Sequence, residues 1–117
     1  MITPFTKSGD VDYDAFKYNI EKWNTIGLCG YLVLGSNSET AYLCEEEKLR
    51  LIDITAETAA KGRIILAGTG MESERETIRF TNLAADHGAH AALVLTPSYY
   101  GSEMNADALV NFFKCGR

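Results

Sequence analysis

Small hydroxyl, amide and phenol side chains follow two short aliphatic segments of this 117-residue chain. LVLGSNSE places Ser36 and Asn37 after the first segment, and ALVLTPSYYG places Tyr99 and Tyr100 after the second. The Ser36 hydroxyl, the Asn37 amide and nearby backbone N–H groups can hold a carboxylate, and a positioned phenol can donate or relay a proton. We therefore interpret the two segments as two rims of one active site that binds a small acid.

Each motif also has a structural interpretation. GSNSE has the composition of a polar helix-capping loop with Glu39 at a helix start, and neighbouring tyrosines often pack with their hydroxyls in water. GTGMES is a glycine-rich strand-to-helix turn, but it lacks the third glycine of a dinucleotide-binding fingerprint. These alternatives stay open at the level of single motifs.

Composition and charge narrow the function classes. The apolar fraction of 46% and the charged fraction of 23% are typical of a folded globular chain. The net charge is -5 and the basic residues are scattered, which argues against nucleic acid and anionic membranes as partners. The first residues lack the pattern of a signal peptide and no apolar run reaches about 18 residues, so neither a signal peptide nor a membrane span is expected. These features favour a small-molecule ligand.

Cysteine and histidine spacing indicates no metal site. Cys29, Cys44 and Cys115 form no C-x-x-C pair, which predicts reduced thiols and a cytoplasmic location. His87 and His90 lie at a helix-to-strand turn without metal-binding spacing, so a structural or solvated role is expected. No cofactor is predicted.

Alternating helix and strand patterns predict the elements that position the site. VDYDAFKYNIEKWNTIG carries Phe16, Ile20 and Trp23 on one helical face. GYLVLG is continuously apolar, as expected for a parallel strand buried on both faces. The plan repeats in CEEEKLRLIDITAETAAKG followed by RIILAGTG, and in ESERETIRFTNLAADHG followed by AHAALVLTP.

A fourth helix, NADALVNFFK, is predicted with Asn105 as its N-cap. The segments GLCGYLVLG and GAHAALVLT align without a gap, which indicates a repeating βα unit of about 30 residues. Such units form an open doubly wound sheet or a (β/α)8 barrel, and both bind ligands at the carboxyl ends of their strands. GSNSE, GTGMES and TPSYYG all fall at such ends.

Four motifs in order, ITPF, GSNSE, AGTG and TPSYYG, resemble the dihydrodipicolinate synthase and N-acetylneuraminate lyase family of pyruvate-dependent class I aldolases. The resemblance covers essentially the whole chain. It implies an α/β fold, the N-terminal half of a (β/α)8 TIM barrel in which parallel strands alternate with helices. It also implies a Schiff base between a lysine and a 2-oxo acid such as pyruvate.

The resemblance assigns roles to the rim residues. Ser36 stands at the first threonine of the family's Gly-Thr-Thr-Gly-Glu loop, which belongs to the proton relay. Asn37 stands at the second, where the keto acid's carboxylate is held. Tyr99 aligns with the relay tyrosine that reaches across a dimer interface into the neighbouring site, and Tyr100 is the second candidate. Ser98 replaces a residue that is commonly aromatic.

Chain length limits the function expected of residues 1–117. A closed barrel needs about 250 residues, and this chain supplies about four strands, including a clipped first one. The family's Schiff-base lysine lies on the sixth strand, beyond Arg117, as does the relay tyrosine of the fifth strand. None of the chain's lysines has the desolvated setting that an imine-forming amine needs. These lysines are Lys7, Lys17, Lys22, Lys48, Lys61 and Lys114.

The sequence leaves three functional hypotheses. The first is an enzyme that is homo-oligomeric at full length and cleaves or condenses 2-oxo acids, and this chain is expected to be inactive alone. Within the family, the Ser-Asn pair and SYYG favour the 4-hydroxy-2-oxoglutarate aldolase branch. The second is a non-catalytic truncated product that binds a keto acid weakly or associates with a full-length relative. The third is an α/β module that binds a phosphorylated ligand at GTGMES. Exposed strand edges predict dimerisation or aggregation.

Overall fold

Three parallel strands alternate with helices in the computed structural model, which describes residues 1–115. The prediction for the Cys115 thiol concerns a side chain that the structure does not describe, and the one for Arg117 lies beyond the described residues. The elements in chain order are α1 (Tyr13–Trp23), β1 (Gly30–Val33), α2 (Glu45–Thr58), β2 (Ile64–Gly68), α3 (Glu74–Asp86), β3 (Ala91–Leu93) and α4 (Ala106–Cys115).

Side-chain caps fix where three of the helices begin. Asp12 Oδ1 accepts from the Ala15 N–H at 2.9 Å before α1, and Ser73 Oγ accepts from the Glu76 N–H at 3.2 Å before α3. Asn105 Oδ1 accepts from the Ala108 N–H at 3.0 Å before α4, which confirms the predicted cap. These caps define the first residues of α1, α3 and α4.

The sheet order is β1-β2-β3, and both pairs are parallel. Tyr31 and Val33 of β1 point to one face and are buried in the core that α1, α2 and α3 cover. On the opposite face Leu32 is half-buried, while Leu93 and Leu95 are 36% and 61% exposed. The expectation that both faces are covered therefore holds only for the helix-facing side, because α1, α2 and α3 pack on that side.

The buried face of α2 differs from the predicted one. The sequence pattern indicates Leu49, Ile52, Ala56 and Ala59, whereas the residues buried in α2 are Leu51, Ile52, Ile54 and Thr55. Alanine has too little apolar area to decide which face of the helix turns inward, so the larger branched side chains determine the buried face. The Thr55 hydroxyl is satisfied inside the helix by donating to the Leu51 carbonyl at 2.7 Å.

Residues 1–5 do not form the predicted clipped first strand. The Met1 nitrogen donates to the Leu32 carbonyl at 2.6 Å, but Pro4 has no N–H with which to continue a ladder. Phe5 instead forms an isolated antiparallel bridge with Val11. The sheet of the described chain therefore has three strands. The Met1 bond attaches the start of the chain to β1 without adding a fourth strand.

Both histidines lie at the amino ends of the strands and make structural contacts, as predicted. The Ile65 N–H donates to His90 Nδ1 at 3.0 Å, and His87 Nδ1 lies 2.7 Å from Asp53 Oδ1. Cys29 and Cys44 are free and exposed. Within residues 1–115, no helix has both the length and the apolar character needed to span a bilayer.

Candidate functional site

A cavity of about 640 Å³ opens where the three parallel strands end. The turns that follow β1, β2 and β3 all contribute to its walls, as the sequence predicts for GSNSE, GTGMES and TPSYYG. Leucines from the strands line it together with polar side chains from the turns. The polar and charged side chains are Ser36, Glu39, Thr40, Tyr42, Lys48, Glu72, Thr96 and Ser98.

The turn after β1 begins with an unusual backbone conformation at Leu34. Its φ is 61°, in the left-handed region, although its side chain is buried. The chain then forms a 3₁₀ turn at Ser36–Ser38, in which the Ser38 N–H donates to the Gly35 carbonyl at 2.9 Å. This turn places Ser36 in the cavity lining, whereas Asn37 is exposed and does not line the cavity.

Two buried hydroxyl groups hold that turn to the start of the chain. Thr3 Oγ1 donates to the Ser38 carbonyl at 2.8 Å, and Ser38 Oγ donates to the Met1 carbonyl. Thr3 and Ser38 are 5% and 2% exposed, so water does not replace these bonds. Neither residue was predicted from the sequence, in which the only signal for Thr3 was its place in ITPF. We call this pair the Thr3–Ser38 clamp.

The turn after β2 is held by the buried hydroxyl of Thr77. Thr77 Oγ1 accepts from the Met71 N–H at 3.0 Å and lies 3.2 Å from the Met71 carbonyl and 3.0 Å from the Ser73 carbonyl. This threonine therefore fixes the backbone on both sides of Glu72. The third functional hypothesis required a phosphate at this turn, and the described contacts give the turn a structural role.

The Glu72 carboxylate joins the turn after β2 to the loop after β3. It accepts from the Ser98 N–H at 3.0 Å, from Ser98 Oγ at 3.2 Å and from the Tyr99 N–H at 3.0 Å. The hydrogen bond from the Tyr99 N–H, together with those from the Ser98 N–H and hydroxyl, holds the pKa of the Glu72 carboxyl below its usual value. Desolvation of the carboxylate opposes this shift. Glu72 was not predicted as a site residue from the sequence, although a carboxylate at the carboxyl end of a strand was a signal.

Tyr99 lies outside the cavity lining. Its side chain is 78% exposed, and its ring lies edge-to-face on Tyr100 with the centroids 4.9 Å apart. The structure therefore brings Ser36 into the cavity, while Asn37 and Tyr99 lie outside its lining. The catalytic and binding roles of these three residues stay predictions.

Lys48 is the lysine that lines the cavity among those within residues 1–115. It is half-buried, and its Nζ lies 6.0 Å from the centroid of the Phe80 ring. Glu39 and Glu72 supply the negative charges of the same lining. In the described part of the chain, no group of three or more His, Cys, Asp and Glu residues could hold a metal ion. The cavity can offer a small anion one ammonium group and several hydroxyls.

An ion-paired cluster ties α2 to α3. The Arg79 guanidinium donates to Glu45 with both terminal nitrogens and to Glu76 Oε2 at 2.9 Å. These bonds lower the pKa of Glu45 and raise that of Arg79. Because all three side chains are exposed, we expect a small contribution to stability.

Glu39 gives a test of the strain in the cavity wall. Its φ is 54°, a conformation that costs a non-glycine residue roughly 1–2 kcal/mol. Glu39→Gly should therefore raise the free energy of unfolding by about 1 kcal/mol after allowing for the extra freedom of glycine in the unfolded chain. Urea unfolding would measure this change, with Glu39→Ala as the control that keeps the strain. A Glu39→Gly chain no more stable than Glu39→Ala would contradict the prediction.

Comparison with known proteins identifies relatives of the chain. The sequence model of the dihydrodipicolinate synthetase family matches residues 1–115. The 4-hydroxy-tetrahydrodipicolinate synthase of Hydrogenobaculum sp. (strain Y04AAS1) is 41% identical over 99 residues, which cover 85% of this chain and 34% of that protein. The enzyme of that name from Maridesulfovibrio salexigens is 37% identical over 113 residues, covering 96% of this chain and 38% of the relative.

A solved structure shows the same arrangement of elements. The chloride-inhibited dihydrodipicolinate synthase from Acinetobacter baumannii, complexed with pyruvate, matches with a TM-score of 0.89 and 32% identity. The match covers 99% of this chain and 39% of that chain. The predicted fold class, part of a (β/α)8 barrel with parallel strands, is thereby confirmed. The chain spans roughly a third of the length of the curated relatives it matches, between 34% and 38% for the two above.

Proposed function

We propose that this chain, which belongs to the dihydrodipicolinate synthetase family, forms the 2-oxo acid side of a lyase that works through a lysine Schiff base. The observation that carries the proposal is the cavity at the strand ends, where Ser36 sits on a clamped turn. It is supported by the pyruvate complex of the Acinetobacter baumannii relative. Condensation or cleavage of a pyruvate-type acid is the activity of the whole enzyme in this proposal.

The residues of the turn after β1 would hold the acid and move its proton. Asn37 and the turn backbone would bind the carboxylate, with the Lys48 ammonium as a nearby counter-charge. Attack of an amine on the keto carbon makes an alkoxide that must be protonated before water leaves, and the Ser36 hydroxyl would pass on that proton. We assign the attacking amine to a lysine outside residues 1–117.

The exposed Tyr99 ring suits a residue that acts in a second copy of the protein. Its 78% exposure, although its apolar ring contacts Tyr100 edge-to-face, supports the proposal that it crosses a subunit interface. We accordingly propose a homo-oligomeric, cytoplasmic enzyme at full length, with no role for nucleic acid or a membrane. The aldehyde partner is proposed to be that of a dihydrodipicolinate synthase or a 4-hydroxy-2-oxoglutarate aldolase.

A non-catalytic chain is the second candidate, and one observation favours it. Leu93 and Leu95 of the inner sheet face are exposed, and Val110 and Phe113 of α4 are also exposed. Such apolar surface suits association with a full-length relative more than independent catalysis. The two candidates differ in whether 2-oxo acid binding at Ser36 is linked to imine formation.

Pyruvate titration tests binding by this chain. We expect the amide signals of Ser36 and Asn37 to shift in a saturable way, and Asn37→Ala to weaken the apparent affinity about tenfold, because the proposed hydrogen bond from its amide to the charged carboxylate is lost. Asn111→Ala, at an exposed asparagine outside the cavity lining, is the matched control. Unchanged amide signals up to high pyruvate concentration would rule out the proposed carboxylate site.

Borohydride trapping tests imine formation separately. The intact mass of the chain, 12.9 kDa, should gain no pyruvate-derived adduct, because the proposed amine lies outside residues 1–117. The polypeptide isolated from its source cells should carry one adduct if it is the longer enzyme. An adduct on the 117-residue chain would show that one of its own lysines reacts, and Lys48→Arg would then test the lysine of the cavity.

A further inference from the structure

The loop that carries Tyr99 depends on one carboxylate from another element. Within residues 1–115, the hydrogen bonds made by residues 96–99 all end at Glu72. Three donors converge there, namely the Ser98 N–H, the Ser98 hydroxyl and the Tyr99 N–H. A carboxylate that accepts several such bonds fixes both the position and the direction of the backbone that donates them. The segment between β3 and the 3₁₀ turn at Gly101–Glu103 is therefore held from the side.

The backbone on both sides of Glu72 is held by the Thr77 hydroxyl. The Thr77 hydroxyl accepts from the Met71 N–H at 3.0 Å and contacts the carbonyls of Met71 and Ser73. Thr77 is 7% exposed and lies in the first turn of α3, so the anchor is part of the folded core. A chain of contacts thus runs from Thr77 through the Met71 backbone to the Glu72 side chain.

A second close approach keeps the two turns together. A Cβ atom added to Gly70 would lie 2.7 Å from the Leu95 nitrogen, so the two backbones pass with no room for a side chain. Leu95 leads directly into the loop that Glu72 binds. The contact at Gly70 sets the separation of the turns, and the Glu72 carboxylate spans the remaining gap.

We propose that Glu72 is a positioning residue for Tyr99: its carboxylate holds the loop at residues 96–99 in the conformation that presents the Tyr99 phenol outside the cavity. The proposal that this phenol serves a proton relay rests on the proposed function, whereas the fixing of the loop by Glu72 does not. Ser98 contributes its hydroxyl to the same carboxylate, which gives a polar side chain at that position a specific role.

Amide exchange tests the fixing of the loop. In Glu72→Ala we expect the Ser98 and Tyr99 amides to exchange at least about tenfold faster, since each loses a hydrogen bond to a charged acceptor. Glu72→Gln keeps a neutral acceptor and should give an intermediate rate. Glu46→Gln, an exposed acid in the first turn of α2, is the matched control and should leave both amides unchanged. Equal exchange rates in Glu72→Ala and Glu46→Gln would overturn the proposal.

The pH dependence separates this role from a general loss of packing. Because the pKa of Glu72 is lowered in the folded chain, the loop order should be complete above the ordinary carboxyl pKa of 4.5 and should be lost as the pH falls through the lowered pKa. The Ser98 and Tyr99 amide shifts should follow that titration in the natural chain and stay flat in Glu72→Gln. Glu39 and Lys48 are the other charged side chains of the cavity, so Glu39→Gln must leave the titration in place. Titration that persists in Glu72→Gln would contradict the assignment.

Two substitutions at Thr77 test whether its hydroxyl supports Glu72. Thr77→Ser keeps the hydroxyl and should preserve slow exchange at Ser98 and Tyr99, whereas Thr77→Val should speed it severalfold by releasing Met71.

Pyruvate titration at Ser36 is a separate readout. A loop that loosens in Glu72→Ala, in a chain that shows no pyruvate response, would leave the positioning role standing and remove the proposed function. A pyruvate response in a chain whose loop does not loosen in Glu72→Ala would remove the positioning role and leave the proposed function standing.

Discussion

Gly68→Ala is expected to lower the free energy of unfolding by about 3 kcal/mol, the upper part of the range for overpacking a tight contact. An added Cβ would lie 2.1 Å from the Leu34 carbonyl oxygen and 2.7 Å from its carbon. Leu34 cannot yield easily, because it is buried and already has a φ of 61°. The strands β1 and β2 would have to separate, which breaks their ladder at its carboxyl end.

This substitution should also disturb the candidate site, since Gly35 and Ser36 follow directly after Leu34. Urea unfolding followed by circular dichroism would measure the stability. Gly27→Ala is the matched control, because nothing lies within 4 Å of a Cβ at that position, and it should change stability by less than about 0.5 kcal/mol. Equal stabilities of Gly68→Ala and Gly27→Ala would contradict the prediction that a Cβ at position 68 forces β1 and β2 apart.

Removing the Thr3–Ser38 clamp should cost about 1–3 kcal/mol for either residue. Ser38→Ala leaves the Met1 carbonyl without its hydroxyl donor, and Thr3→Val leaves the Ser38 carbonyl without one. Both sites are buried, so water does not substitute for the lost donor. The double variant should lose less than the sum of the two single losses, because both bonds tie the same turn to the same segment.

Thr6→Val is the matched control for this prediction. The Thr6 hydroxyl bonds to Ser8 Oγ at 2.8 Å, but both side chains are exposed, so the change should be within about 0.5 kcal/mol. Loss of the clamp should also reduce the pyruvate-dependent shifts of Ser36 and Asn37. Additive losses in the double variant, with pyruvate binding unchanged, would mean that the two hydroxyls do not act on the turn together.

Apart from the clipped first strand, which residues 1–5 do not form, the sequence predicted the order of helices and strands, the parallel sheet and the family. These features depend on local signals, namely the 3.6-residue apolar period of α1, the continuous aliphatic run of β1 and the glycine-containing motifs after each strand. It also predicted that the site lies at the carboxyl ends of the strands, because parallel βα units bring those ends to one edge. Ser36 in the cavity lining agrees with that prediction.

Tertiary structure alone decided which side chains support the site. Ser38 is buried while Ser36 and Asn37, its neighbours in one turn, are exposed, because Leu34 reverses the backbone and Thr3 meets the turn from 35 positions away. Glu72 reaches Ser98 across 26 positions for a similar reason, since β2 and β3 end side by side. No local pattern encodes such pairings. They arise when separate turns are brought within hydrogen-bonding distance by the packing of the whole sheet.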